Sequence, residues 1–124
     1  MKRESESQPR RVLIVDDEEG FRDGLADLLE MEGYAVLVAK DAVDAVRVLP
    51  EFRPEVILLD LRMPNLDGEA FMRGMNGLPA MVPVVLISAK EDLAAIAGRA
   101  GAAGYLHKPF EAPQLLSILE KVLP

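Results

Sequence analysis

Val56-Ile57-Leu58-Leu59-Asp60-Leu61-Arg62-Met63-Pro64 is the stretch that decides the fold. Four apolar residues, half of them β-branched, run without interruption into an aspartate. Such a run reads as a strand buried on both faces, the kind found inside parallel sheets. A loop follows, closed by Met63-Pro64 and the turn signal Asn65-Leu66-Asp67-Gly68. Asp60 therefore falls at the carboxyl end of a buried strand, the edge where ligands bind in open α/β sheets.

The same strand-then-polar junction recurs on both sides of this stretch. Arg11 to Val15 is a short β-branched run ending at Asp16-Asp17. Phe21, Leu25, Leu28 and Leu29 then share one face of a predicted helix over 18–31, which Gly33 stops. Residues 34–39 are strand-like, and Asp41 is the expected N-cap of a helix whose Ala42, Ala45, Val46 and Leu49 face the core. Pro50 and Pro54 are expected to end it. Beyond the central strand, a short helix is expected over 68–75. Pro83-Val84-Val85-Leu86-Ile87 is a second unbroken apolar strand, ending at Ser88-Ala89. A helix over 91–100 carries Leu93, Ile96, Ala97 and Ala100 on one side. Tyr105-Leu106-His107 is a short strand running into Lys108-Pro109, and Pro113 suits the first turn of a last helix with Leu115, Ile118, Leu119 and Val122 inward. Five strands alternating with five helices predict an α/β fold, a parallel sheet covered on both faces, because parallel neighbours need crossover connections.

Composition sets the outer bounds. A chain of 124 residues fits one domain, here 10–124, behind a polar N-terminal tail over 1–9 that is expected to be disordered. The net charge of −7 argues against direct nucleic-acid binding, which needs a basic patch. Without cysteine there is no disulfide framework or thiolate metal site. No signal peptide and no membrane-length apolar run is present, so a cytoplasmic domain is expected.

If the sheet is parallel, Asp16, Asp17, Asp60, Ser88 and Lys108 share one edge. Three carboxylates held about 5 Å apart at an effective dielectric near 20 repel by roughly 3 kcal/mol per pair. A hard divalent cation such as Mg²⁺, with Lys108 as a second positive charge, would offset this. A carboxylate beside a metal and an ammonium can attack a phosphoryl group to give an aspartyl phosphate. The cations would neutralise charge on the phosphoryl oxygens, and Ser88 would hydrogen-bond one of them.

With Asp16-Asp17, Asp60, Met63-Pro64, Gly68, Ser88-Ala89 and Lys108-Pro109 in this order and at these strand positions, the chain resembles the CheY-like response regulator receiver family. The resemblance implies a flavodoxin-like doubly wound (βα)5 fold with strand order 2-1-3-4-5, in a two-component phosphorelay. It implies Asp60 as phosphoacceptor. Asp17, Asp16, Asp60 and the backbone carbonyl of Arg62 would hold Mg²⁺, for which Mn²⁺ could substitute. Ser88 and Lys108 would bind the phosphoryl group, with a cis Lys108-Pro109 bond aiming the lysine. Ser88 and Tyr105 would form the switch, read by a downstream partner or output domain on the face over 91–122. The donor would be a phosphohistidine on a sensor kinase or phosphotransfer protein, and the chain a monomer or a phosphorylation-linked homodimer. Its chemistry would be limited to Mg²⁺-dependent self-phosphorylation and self-dephosphorylation. Two alternatives stay open. A phosphatase of the haloacid-dehalogenase type needs an acid two residues after the nucleophile, where this chain has Arg62. A receiver that signals by contact alone would typically lack an acid or the lysine, and none is missing here.

Overall fold

The computed structural model describes residues 8–61 and 82–123. In chain order the elements are β1 (Arg11–Val15), α1 (Glu19–Met31), β2 (Ala35–Ala39), α2 (Ala42–Phe52), β3 (Val56–Asp60), β4 (Val84–Ser88), α3 (Leu93–Ala100), β5 (Gly104–His107) and α4 (Ala112–Val122). The strands form one parallel sheet in the order β2-β1-β3-β4-β5. The expected helix over 68–75, the Met63-Pro64 loop and most of the tail lie outside the described residues.

The unbroken apolar runs behave as their composition requires. Every residue of β3 and β4 is buried. Because strand side chains alternate, each strand feeds two cores. Leu13, Val15, Ile57, Leu59 and Leu86 point to one face and pack with Ala45 and Leu49 of α2 and Leu93 and Ala97 of α3. Val12, Ile14, Leu58, Val85 and Ile87 point to the other and pack with Leu25 and Leu29 of α1 and Leu115 and Leu119 of α4.

Three local details depart from or refine the sequence-based expectation. Asp41 caps α2 as expected, its Oδ1 accepting from the Asp44 N–H at 2.7 Å. Val46, however, is 57% exposed, and Val48 packs against the core instead. At about 100° per residue these two valines flank the Ala45–Leu49 stripe at nearly equal angles, so periodicity cannot choose between them. Pro50 does not end α2 but lies inside it. The hydrogen bond it forfeits belongs to the carbonyl of Val46, on the exposed side, where water can replace the missing donor. The helix stops three residues later at Arg53, in the left-handed region at φ 53°, whose N–H reaches the Leu49 carbonyl at 2.9 Å.

Gly104 opens β5 where α4 crosses it most closely. A Cβ there would lie 2.9 Å from Cδ1 of Ile118 and 3.3 Å from its Cγ1. Ile118 can rotate away only by leaving the packing it makes on the sheet. Gly104→Ala should therefore lower the denaturant midpoint by the equivalent of about 1 kcal/mol, the low end of overpacking costs. An unchanged midpoint would mean that α4 slides freely over β5.

Candidate functional site

The carboxyl ends of four strands meet at one edge, and backbone bonds carry the ladder one residue past the strands. The Asp16 N–H donates to the Ala39 carbonyl at 3.0 Å, Leu61 N–H to Ile87 at 3.1 Å, and Lys108 N–H to Ser88 at 2.9 Å. Asp16, Asp60, Ser88 and Lys108 are thereby fixed at the same level of the sheet. Asp16, Asp60 and Ser88 are almost fully buried, the only polar or charged side chains so placed among the described residues.

Asp60 is the centre of this group. Its Oδ2 accepts from the ammonium of Lys108 at 2.8 Å, and the carboxylate is 1% exposed. The Lys108-Pro109 peptide is cis. Asp16 lies on the other side. Its Oδ1 accepts the Glu18 N–H at 2.9 Å, while its Oδ2 is buried without a hydrogen-bond partner among the described residues. Loss of hydration, then the proximity of Asp60, push the Asp16 carboxyl up to about 6; the Glu18 N–H and Lys108 oppose this. Ser88 is fully buried, and its Oγ accepts the Lys90 N–H at 3.0 Å. A hydroxyl that accepts in this way keeps its own hydrogen to donate.

Not every residue expected at the edge joins the cluster. Asp17 is exposed, and among the described residues no group of three or more acids, histidines or cysteines is close enough to hold a metal. Asp16 and Asp60 are brought together; Asp17 stays hydrated, where water screens a third negative charge. Arg62, whose carbonyl was expected as a ligand, lies outside the described residues. Tyr105 is 42% exposed on β5, turned away from the core. The donor set nevertheless suits a hard cation. One orphaned buried carboxylate oxygen beside a second carboxylate is a combination that a divalent ion with oxygen preference relieves.

Two contributors were not read from the sequence. Phe21, in the first turn of α1, presents its ring 4.1 Å from the Lys108 ammonium. Phe110 meets Phe21 edge-on, with centroids 6.1 Å apart and planes at 85°. Helical periodicity had placed Phe21 simply on an apolar face. The available signal was an aromatic a few residues past the acid pair and another two past the lysine.

A doubly wound parallel sheet with buried acids and a lysine at its carboxyl edge defines a class of signalling domains of the flavodoxin-like fold. The sequence profile described as "Response regulator receiver domain" matches residues 12–120. The chain is 35% identical over 117 residues to the response regulator MprA of Mycobacterium sp. strain KMS, covering 93% of this chain and 51% of that protein. It is 36% identical over 115 residues to MprA of Mycobacterium tuberculosis H37Rv, covering 91% and 50%. Among solved structures, the FixJ-N crystal structure superposes with a TM-score of 0.83 at 34% identity, covering 93% of this chain and 94% of that one. The chemotaxis response regulator CheY4 of Vibrio cholerae superposes with 0.84 at 28% identity, covering 94% and 100%. The chain belongs to the response regulator receiver domain family, the receiving modules of two-component signal transduction. It spans about half the length of the curated relatives it matches. No helix among the described residues is long and apolar enough to cross a membrane.

Proposed function

We propose that Asp60 is the phosphoacceptor of a phosphorelay, taking a phosphoryl group from a phosphohistidine on a sensor kinase or phosphotransfer protein. The observation that carries this is the ammonium of Lys108 at 2.8 Å from a buried Asp60 carboxylate at the carboxyl edge of the sheet. An Asp60 oxygen attacks phosphorus, the P–N bond breaks, and the imidazole leaves with the electron pair and takes up a proton. As the acyl phosphate forms, negative charge passes from the carboxylate to the phosphoryl oxygens, and Lys108 follows it. Ser88, whose Oγ accepts the Lys90 N–H, donates its free hydroxyl hydrogen to one phosphoryl oxygen. Asp16, Asp17, Asp60 and the Arg62 carbonyl are the proposed Mg²⁺ ligands, with Mn²⁺ as substitute; the bound ion supplies positive charge against the transferring group.

The receiver unit is proposed to span 10–124 and to act in the cytoplasm. Movement of Ser88 toward the phosphate would draw Tyr105 inward from its exposed position. That change would be read by a downstream partner over 91–122.

Incubation with acetyl phosphate or phosphoramidate and Mg²⁺ should add one phosphoryl group, detected as a single mass increment. Asp60→Asn should abolish it. Equal labelling of the variant would remove Asp60 from the role, and sustained turnover of a small phosphate ester would favour a phosphatase.

A further inference from the structure

We infer that Phe21 is a positioning residue for phosphoryl acceptance, its ring face holding the Lys108 ammonium against the acceptor. This rests on Asp60 being the phosphoacceptor. Among the described residues, the Lys108 ammonium meets two partners of different kind. Asp60 Oδ2 holds the ammonium at 2.8 Å, and the Phe21 ring holds it at 4.1 Å from the centroid. The lysine side chain is 14% exposed, so the contact is largely shielded from water, where a cation over an aromatic face is worth most.

The two partners respond differently to phosphorylation. The carboxylate loses its charge when it becomes an acyl phosphate, and its hold on the ammonium weakens. The ring does not change. Phe21 therefore keeps the ammonium over the site while its salt-bridge partner is being esterified, limiting the freedom it would otherwise gain. The ring is itself fixed from the side by the edge of Phe110 at 6.1 Å. It is also fixed by its place in the first turn of α1, four residues past Asp17. The junction from the end of β1 into the first turn of α1 thus carries both the acids and the ring, and one tripeptide, Lys108-Pro109-Phe110, carries the ammonium and the brace.

The two rings, Lys108 and Pro109 also line an open, mostly apolar groove of about 680 Å³ with Gly20, Gly24 and Leu25. Phe21 is half-buried there and packs at the margin of the core shared by α1 and α4, so its replacements in the test are chosen to keep an apolar side chain at that place.

The test is the initial rate of phosphorylation by phosphoramidate at saturating Mg²⁺ in the full chain. Phe21→Leu should slow it about fivefold, the effect of losing a shielded cation–π contact, and Phe21→Trp should restore it. In a Lys108→Met background, Phe21→Leu should change the residual rate by less than twofold, because the ring then has no cation to hold. Phe21→Met serves as the second apolar replacement should the leucine variant unfold, and is expected to behave likewise. An unchanged rate in Phe21→Leu or Phe21→Met, or an equal loss with and without Lys108, would overturn the inference, since packing alone would then account for the ring. Failure of the underlying assignment would look different: the wild type would take no label, or Asp60→Asn would take as much.

Discussion

Lys108→Met should destabilise the metal-free protein by about 3 kcal/mol at pH 8, the low end of the cost of stranding a buried charge. It should also slow Asp60 phosphorylation about a hundredfold, as expected when a donor to developing charge is removed. The ammonium now answers a carboxylate that is 1% exposed and has Asp16 as its neighbour. Methionine keeps the apolar stem and removes only the charge. Lys108 is also one of the influences that lower the Asp16 carboxyl, so its loss pushes that group further up. A carboxyl with a raised folded pKa keeps a proton that the unfolded chain has released. Stability is therefore retained at low pH and falls as pH rises through the folded value. The deficit of the variant should thus be small at pH 5 and full at pH 8, which urea midpoints at the two pH values will show. An equal deficit at both would mean that the lysine contributes through packing of its stem.

Asp16→Asn should do the reverse, raising the stability of the metal-free protein above pH 7 by about 2 to 3 kcal/mol while removing Mg²⁺-dependent stabilisation. Folding moves this carboxyl from an ordinary value near 3.8 up to about 6. Between those values the folded state holds a proton that the unfolded chain has lost, so wild-type stability declines from about pH 4 to pH 6. Above that it stays reduced by about 3 kcal/mol, at 1.36 kcal/mol per pH unit. Asparagine carries no charge to desolvate, and its side-chain oxygen can still accept the Glu18 N–H. Added Mg²⁺ should relieve the same penalty in the wild type and so raise its melting temperature at pH 7.5. In Asp16→Asn that rise should shrink or vanish. Equal Mg²⁺ stabilisation of both proteins would place the ion away from Asp16.

These opposite effects expose the compromise at the site. The pocket is destabilised by the feature that suits it to a cation, a buried carboxylate oxygen with no donor among the described residues. The proposed phosphoryl acceptance would need negative oxygens gathered before a cation arrives, with folding energy elsewhere in the sheet offsetting their repulsion.

The amino-acid sequence by itself determined the alternation of elements, because buried parallel strands must be continuous apolar runs and their covering helices must be amphipathic. Val56–Asp60 and Val84–Ser88 are legible for that reason, as is the placing of Asp60, Ser88 and Lys108 just where apolar runs stop. Local chemistry was equally plain at Asp41, whose side chain needs only its own next turn to cap a helix. What depends on a partner was not legible. Val46 and Val48 flank the core-facing stripe of their helix almost symmetrically, and only the sheet beneath chooses Val48. Pro50 is accommodated inside α2 where the residue four before it, Val46, lies on the exposed side of the helix. Asp16 and Asp17 are adjacent and identical in type, yet tertiary structure buries the first beside Asp60 and leaves the second at the surface. The contact of Phe21 with Lys108 joins residues from opposite ends of the chain. Periodicity reports which way a side chain points along its own element; which group it meets there is decided only when the elements pack.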